Sequence, residues 1–291
     1  MKNECLFPSP RLGLYEKALP DNLSWEDKLR VIRDLGFDYL EISIDESDKR
    51  LSRLEWSDTK IQQLKELTLE YEVPIHSMCL SAHRRFPYGS HSQEVRNMAE
   101  IIMSKAISLA VKLGVRVIQL AGYDVFYENH DQETHKHFIS GMKSAAKLAE
   151  RAGVMLGVEI MDTPYLNSIG KFLILKREIP SPYFMVYPDV GNLTGWLKDV
   201  PTELALGRDV MVGLHLKDSK KVSEHSPGQF RDLVIGDGDV DFSQIFKTLN
   251  EINYSAPYVI EMWAQDEHWK DNILIAKSRI MSFMENARLA S

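Results

Sequence analysis

The sequence predicts an α/β protein, a single-domain (β/α)8 TIM barrel covering residues 1–291, and two observations support this prediction. A short apolar run followed by a helical pattern recurs eight times, and eight units of about 30 residues each account for a barrel of this length. No Pro-, Gly- or Ser-rich linker interrupts the series, so we place no domain boundary. The predicted strands lie near residues 12–16, 39–43, 74–80, 115–121, 154–160, 184–189, 211–217 and 257–262.

The predicted strands are short apolar runs bounded by polar or turn residues, as in Val154–Ile160 and Tyr258–Glu261. Runs of this kind are typical of strands that are buried on both faces of a parallel sheet. The alternative fold, a doubly wound open sheet, would usually carry a glycine-rich phosphate turn after its first strand. The segment Gly13–Lys17 is not such a turn, which favours the barrel.

The segments between the strands have the spacing of amphipathic helices, because apolar residues recur every three or four positions. The second predicted helix has one apolar face, formed by Ile61, Leu64 and Leu67. The third predicted helix has a longer apolar face, formed by Met98, Ile102, Ala106, Leu109 and Leu113. We expect these faces to pack against the strands from outside the barrel.

Four acidic or imidazole side chains stand at the C-terminal ends of the last four predicted strands: Glu159, Asp189, His215 and Glu261. Charged groups are out of place inside a buried sheet, but the carboxyl ends of barrel strands form the face where barrel active sites lie. Three carboxylates and one imidazole suit a divalent cation such as Mn²⁺, Mg²⁺, Co²⁺ or Zn²⁺. The sequence therefore predicts one metal site at the barrel mouth, with a long loop, residues 220–241, over it.

The composition is that of a soluble protein with a large core, since 44% of the residues are hydrophobic and 26% are charged. The net charge of −7 offers no general attraction to phosphate backbones, so we expect no nucleic-acid partner. The sequence has no signal-peptide pattern and no apolar stretch of about 18 residues, so we expect neither export nor a membrane partner.

Cys5 and Cys79 are the only cysteines. Two cysteines make no disulfide framework, and a reducing cytoplasm fits this pair best. Cys79 lies inside an apolar run, where no neighbouring residue would lower its thiol pKa, so we interpret it as a buried hydrophobic residue rather than a nucleophile.

A second group of polar residues suits an anionic substrate. Lys17 follows the first strand, and Gly89 and Ser90 stand at the predicted start of the third helix. Free N–H groups and the helix dipole favour an anion at such a start. Lys217 lies two positions after His215, so it points to the same face of its strand and could polarise a substrate oxygen, although a solvated lysine is the alternative. We therefore predict that Lys17, Gly89, Ser90 and Lys217 bind substrate.

Several other residues near the strand ends have two open interpretations. The third loop carries three cationic or imidazole side chains that could reach a phosphate or brace the loop: His83, Arg84 and Arg85. Four residues could line the pocket or pack in the core: Tyr15, Glu16, Glu41 and Trp263. Two aromatic residues could cover the site or form a dimer contact: Phe126 and Trp196.

Six sequence strings resemble the L-ribulose-5-phosphate 3-epimerase family, also called L-xylulose-5-phosphate 3-epimerases, within the xylose isomerase-like barrel superfamily. They lie at residues 13–20, 78–87, 116–124, 159–162, 187–192 and 260–263. The first two, GLYEKALP and MCLSAHRRFP, are more specific than the metal pattern, which a wider group of barrel enzymes shares. The resemblance implies a cytoplasmic homodimer of pentose and L-ascorbate catabolism.

The resemblance also implies one divalent ion, Zn²⁺ or Mn²⁺, on ligands that fall at Glu159, Asp189, His215 and Glu261. Such an enzyme would invert C3 of a ketopentose 5-phosphate through a metal-stabilised enediolate, with Glu159 and Glu261 as acid and base. Asp189 and His215 would be mainly ligands, and the second nitrogen of His215 would need an acceptor that the sequence does not identify.

Three alternatives remain open at this point. An aldose–ketose isomerase on the same barrel would use the same ligands, and product analysis would separate the two reactions. An apurinic-site endonuclease would need several metals, additional histidines and a basic groove, which the net charge of −7 disfavours. A non-catalytic sugar-binding module would not need two glutamates on one metal.

Where related ketohexose epimerases carry a histidine and an arginine, this chain has Asn192 and Lys217 as the nearest counterparts, so their substrate contacts do not transfer directly.

Overall fold

The computed structural model describes residues 10–289, in which eight parallel strands form a nearly closed barrel. The strands are β1 (Leu12–Tyr15), β2 (Tyr39–Ile44), β3 (Ile75–Leu80), β4 (Val117–Ala121), β5 (Met155–Glu159), β6 (Phe184–Tyr187), β7 (Leu214–Leu216) and β8 (Tyr258–Ile260). All eight predicted strands are present, so the predicted barrel is confirmed. The last four are shorter than predicted, and β7 covers only the end of its predicted range.

The barrel is continuous from β6 through β5, β4, β3, β2, β1 and β8 to β7. The join between β6 and β7, which we call the β6–β7 junction, consists of two isolated parallel bridges, Val186 to Met211 and Asp189 to His215. A backbone hydrogen bond of 2.9 Å from the His215 N–H to the Pro188 carbonyl supports the second bridge. The junction closes the barrel with fewer contacts than a full strand ladder.

Between residues 10 and 289, ten α-helices surround the strands. They are α1 (Trp25–Asp34), α2 (Asp48–Leu51), α3 (Asp58–Glu70), α4 (Gln93–Leu113), α5 (Gln132–Ala152), α6 (Ile169–Glu178), α7 (Val190–Gly195), α8 (Val200–Gly207), α9 (Phe242–Glu251) and α10 (Trp269–Leu289). Most begin after a serine or aspartate whose side chain accepts a hydrogen bond from an N–H of the first turn, as Ser92 does from Val95. Such caps satisfy N–H groups that have no partner within the helix.

The predicted apolar faces are largely confirmed. Ile61 and Leu64 of α3 are buried, as are Ile102, Ala106 and Leu109 of α4. The prediction was wrong for Met98, which is 39% exposed, because the buried stripe of α4 runs through its neighbour Ala99 instead. The core therefore lies between the strands and one face of each long helix.

The face that matters for function is the one where the strands end. The connection after β7, residues 217–241, is the long loop that the sequence predicts, and it leads into α9.

Cys5 lies outside the described residues, whereas Cys79 is buried in β3, which confirms its interpretation as a buried side chain. Within residues 10–289, no helix is both long and apolar enough to cross a membrane.

Candidate metal centre and active site

The four predicted ligands come together at the carboxyl end of the barrel. One potential ligand atom from each of Glu159, Asp189, His215 and Glu261 lies within 4.8 Å of the other three, and all four residues are buried. The His215 Nδ1 atom lies 3.1 Å from Glu159 Oε1 and 3.8 Å from Glu261 Oε2. The structure therefore brings together the set that the sequence singled out.

Local structure explains the position of each ligand. Glu159 is the last residue of β5, and Glu261 directly follows β8. Asp189 is the N-cap of α7, where its Oδ1 atom accepts a 2.8 Å hydrogen bond from the Asn192 N–H. Because that bond holds Oδ1, the carboxylate presents Oδ2 to the site.

Lys217 joins the same cluster. Its Nζ atom lies 2.8 Å from Asp189 Oδ2 and 3.2 Å from Glu261 Oε2. The side chain is only 5% exposed, so the alternative of a solvated lysine is wrong. Its predicted contact with substrate stays a prediction.

Two buried oxygens of the cluster, Asp189 Oδ2 and Glu261 Oε2, share the single Lys217 ammonium at 2.8 and 3.2 Å. One lysine beside three buried carboxylates leaves part of their desolvation cost uncompensated. Three carboxylates and one imidazole form a donor set that suits Mn²⁺ or Zn²⁺. The residues present therefore fit a divalent cation.

The carboxyl groups of the cluster have different proton affinities. Burial raises the pKa of Asp189 to about 7. Burial also acts to raise the pKa of Glu261, but the charges of Lys217 and His215 outweigh it and lower the pKa to about 2. Burial raises the pKa of Glu159 above its usual value. Like charges this close cannot all ionise freely in a buried site, and a bound cation would relieve their repulsion.

The acceptor for the second nitrogen of His215 is Glu41, on β2 at the other side of the barrel. His215 Nε2 lies 2.8 Å from Glu41 Oε1, and both side chains are fully buried. Burial acts to lower the pKa of His215, but Glu41 and Glu261 raise it well above its usual value. The sequence left Glu41 between pocket lining and packing, and its signal was a charged residue in the middle of an apolar strand.

The cluster opens into a cavity of about 50 Å³ at the barrel mouth. Its wall contains Glu159 and Glu261 together with Tyr15, Lys17, Cys79, Arg84, Asp162, Asn192, Lys217, Arg231 and Trp263. The Lys17 Nζ atom lies 2.6 Å from Asp45 Oδ2. Among the residues that the sequence left open, Tyr15, Arg84 and Trp263 line the cavity.

Arg231, which no sequence pattern marks as a site residue, lies in the long loop over the mouth. Its guanidinium packs 5.6 Å from the centre of the Trp263 ring and lies 3.4 Å from Asp162 Oδ2. No periodic pattern marks Arg231 or Asp162, because both lie in loops whose positions depend on the closed barrel. Arg231 thus ties the loop after β7 to the loops after β5 and β8.

Gly89 and Ser90 lie away from this cavity. Helix α4 begins at Gln93 with Ser92 as its cap, so the helix starts later than the sequence suggested. The Gly89 N–H donates a 3.0 Å hydrogen bond to the Asp124 carbonyl, and a Cβ atom at Gly89 would stand 2.5 Å from that oxygen. Close backbone packing therefore accounts for the glycine, and phosphate binding by Gly89 and Ser90 stays a prediction.

Other open residues have structural contacts. His83 is buried and bonded to the Ala99 carbonyl at 3.2 Å, and Arg85 pairs with Asp48 at 2.7 Å on the surface. Trp196 packs against Phe230. Phe126 stacks under Arg84 and lines a groove of about 990 Å³ beside the mouth, which contains none of the four predicted ligands.

Glu16 belongs to a separate buried cluster at the end of β1. Its Oε1 atom accepts hydrogen bonds from Lys28 at 2.7 Å and Arg53 at 2.8 Å, and its Oε2 atom accepts one from Ser43 N at 2.9 Å. Burial acts to raise the pKa of Glu16, but Arg53 and Lys28 lower it to about 2. Of its two interpretations, the structure supports packing in the core.

Comparison with known proteins agrees with the barrel. A profile of the xylose isomerase-like TIM barrel family matches residues 29–279. The chain is 53% identical over 255 residues to a protein of Escherichia coli K12 provisionally named L-ribulose-5-phosphate 3-epimerase SgbU, which covers 88% of this chain and 89% of the relative. It is 48% identical over 254 residues to L-ribulose-5-phosphate 3-epimerase UlaE of Shigella boydii, covering 87% of each.

Among solved structures, a D-psicose 3-epimerase from Clostridium cellulolyticum H10 superposes with a TM-score of 0.79. The match covers 94% of this chain and 99% of the other at 16% identity, so it supports the fold alone. The relatives that are 48% and 53% identical support a more specific family assignment. The chain belongs to the xylose isomerase-like TIM barrel family and, within it, to the L-ribulose-5-phosphate 3-epimerases.

Proposed function

We propose that this protein is a metal-dependent enzyme that interconverts L-ribulose 5-phosphate and L-xylulose 5-phosphate by inverting C3. The observation that carries the proposal is the pair Glu159 and Glu261, two glutamates on the wall of one cavity within a single potential metal-ligand set. The names of the relatives at about half identity supply the substrate class.

The metal would be held by Glu159, Asp189, His215 and Glu261, and we expect Zn²⁺ or Mn²⁺ because the set combines oxygen donors with one nitrogen. When bound, a divalent cation supplies Lewis-acid polarisation of a ketone and its neighbouring oxygen. Lys217, already within 3.2 Å of two of the carboxylates, would stay to balance their remaining charge.

The glutamates would carry the proton chemistry. One of them, ionised, accepts the proton from C3; the electron pair of the broken C–H bond forms the C2–C3 double bond, and the π pair of the C2 carbonyl moves to its oxygen, which gives an enediolate. The other, protonated, returns a proton to C3 from the opposite side as the C2 carbonyl forms again, which inverts the carbon. The two carboxyl groups thus exchange protonation states in each turnover, and exchange with solvent resets them.

Lys17 is our candidate for the phosphate group. It lines the same cavity, and its Nζ atom lies 2.6 Å from Asp45 Oδ2. The cavity of about 50 Å³ is far below the roughly 300 Å³ at the lower end of ligand pockets, so we expect the mouth to widen on binding. The contact between Arg231 and Asp162 is the one that would have to open.

Three further expectations stay predictions: the homodimer, the cytoplasmic location, and the role in pentose and L-ascorbate use. A metal-dependent aldose–ketose isomerase is separated from the proposed epimerase by its product. The same experiment can therefore test both reactions.

The decisive experiment follows L-xylulose 5-phosphate in D₂O by proton NMR with the enzyme loaded with Mn²⁺ or Zn²⁺. Because Mn²⁺ broadens resonances, the Mn²⁺ reactions are quenched and cleared of metal before the spectra are recorded. We expect deuterium at C3 and formation of L-ribulose 5-phosphate by the wild type and by Glu251→Gln, an exposed control. Glu159→Gln and Glu261→Gln, confirmed to hold metal, should form product roughly 10²–10⁴-fold more slowly. Exchange at C1 with an aldose product would instead identify an isomerase.

A further inference from the structure

We propose that Glu41 is a positioning residue for the metal centre: it fixes the ring of His215 so that Nδ1 faces the ion. This inference rests on the proposed function, because it concerns the same site. Glu41 itself lies on β2, outside the group of potential ligands. It would act on the metal only through His215.

The two ring nitrogens of His215 have different surroundings. Nδ1 faces the carboxylates of Glu159 and Glu261, at 3.1 and 3.8 Å. Nε2 points the other way, toward Glu41 Oε1 at 2.8 Å. A metal bound at Nδ1 needs the lone pair of that atom, so the ring proton must sit on Nε2, where the Glu41 carboxylate can accept it.

Glu41 is itself held in place by two donors. Its Oε2 atom accepts hydrogen bonds from the Ser77 hydroxyl at 2.7 Å and the Tyr187 hydroxyl at 3.2 Å. Ser77 stands beside Glu41 in the register between β2 and β3. Because these donors occupy Oε2, the other oxygen is left for His215.

The Tyr187 ring also packs against His215, edge to face with centroids 4.8 Å apart. A glycine two residues before His215 makes room for it, since a Cβ atom at Gly213 would lie 2.4 Å from the Tyr187 ring. The histidine is therefore restrained by a hydrogen bond on one edge and by an aromatic ring beside it. Neither contact uses Nδ1, so both are compatible with an ion on that atom.

A packing role alone makes a different prediction from a positioning role. If Glu41 only fills space, its replacement changes stability but leaves metal affinity and the His215 tautomer unchanged. If it positions His215, loss of the acceptor weakens metal binding by about 10- to 100-fold. The conservative Glu41→Gln, whose amide oxygen can still accept from Nε2–H, should lose less affinity than Glu41→Leu.

The experiment measures Mn²⁺ affinity by electron paramagnetic resonance of free Mn²⁺ for wild type, Glu41→Gln, Glu41→Leu and the control Glu70→Gln, which changes an exposed glutamate of α3. We expect Glu70→Gln to bind Mn²⁺ as wild type does. Two-dimensional ¹H–¹⁵N spectra of the Zn²⁺-loaded protein should show a protonated Nε2 and a metal-bound Nδ1 for His215. Circular dichroism of the metal-free proteins checks that each variant folds, and Glu41→Gln serves if Glu41→Leu does not.

Equal affinity in wild type and both Glu41 variants, with an unchanged tautomer, would overturn the positioning role while leaving the epimerase proposal intact. Tight binding in wild type without C3 exchange would overturn the epimerase proposal alone. Failure of the wild type to bind Mn²⁺ or Zn²⁺ would overturn both.

Discussion

The barrel mouth holds two buried clusters built around carboxylates, and they are satisfied in different ways. Around Glu16, two cations and a backbone N–H saturate a single carboxylate at 2.5–2.9 Å. Around Asp189 and Glu261, several carboxylates share one lysine. In the first cluster the cations outnumber the carboxylate, whereas in the second the carboxylates outnumber the cations. Burial alone therefore does not distinguish the two clusters; the ratio of carboxylates to cations does.

The two clusters should differ most in their effect on enzymatic activity. Replacing Glu159 or Glu261 by glutamine removes a proton carrier, so we expect turnover to fall by roughly 10²–10⁴-fold. Metal-free Glu159→Gln should keep a melting temperature near that of wild type, because burial already disfavours the ionised form of Glu159. Steady-state kinetics and thermal unfolding measure both effects. A large loss of stability in Glu159→Gln would contradict the distinction between the clusters.

Breaking the Glu16 cluster should give the opposite result. Glu16→Gln leaves Lys28 and Arg53 buried without a counter-charge, which costs roughly 3–5 kcal/mol of unfolding free energy. Denaturant unfolding of Glu16→Gln, with the exposed Glu26→Gln as control, tests this. Metal affinity of the folded variant should be unchanged, and a parallel loss of affinity would show that the two clusters are coupled.

Metal should stabilise only the second cluster. At a free Mn²⁺ concentration 100 times its dissociation constant, linkage predicts about 2.7 kcal/mol of added stability. A chelator should reverse the gain, and Glu261→Gln should reduce it because a ligand is lost. Thermal unfolding with and without Mn²⁺ measures the effect, and an equal gain in Glu261→Gln would place the ion elsewhere.

Acid should weaken the first cluster gradually. The folded pKa of Glu16 is about 2 against an ordinary value of 4.5, so its contribution is present above pH 4.5 and is lost as the pH falls toward 2. Integrating that shift predicts about 2 kcal/mol less stability at pH 3 than at pH 7 from this group. The difference between wild type and Glu16→Gln should therefore shrink as pH falls, as unfolding at each pH would show. A constant difference would contradict the assignment.

Sequence reasoning succeeded where a local pattern determines the structure. Short apolar runs predicted the strands. A charged residue at the end of such a run predicted each candidate ligand, including Asp189 and Glu261. It failed where a contact joins distant parts of the barrel. Glu41 and His215 are 174 positions apart and meet only because β2 and β7 face each other across the interior.

Loop positions were equally inaccessible to sequence reasoning. Arg231 meets Trp263 and Asp162 through three loops whose courses depend on the closed barrel. Gly89 looked like part of an anion site because the start of α4 was placed too early. The serine at position 92, a good N-cap, was the local signal that would have corrected it.

The β6–β7 junction connects the candidate metal centre with closure of the barrel. Asp189 and His215 are candidate ligands, and the backbone bridge between them is one of only two that close the barrel there. An ion bound to both side chains would therefore cross-link β6 and β7, where the barrel has the fewest backbone bridges. Amide hydrogen exchange at the β6–β7 junction should slow when metal binds, because the ion would then hinder local opening of the barrel.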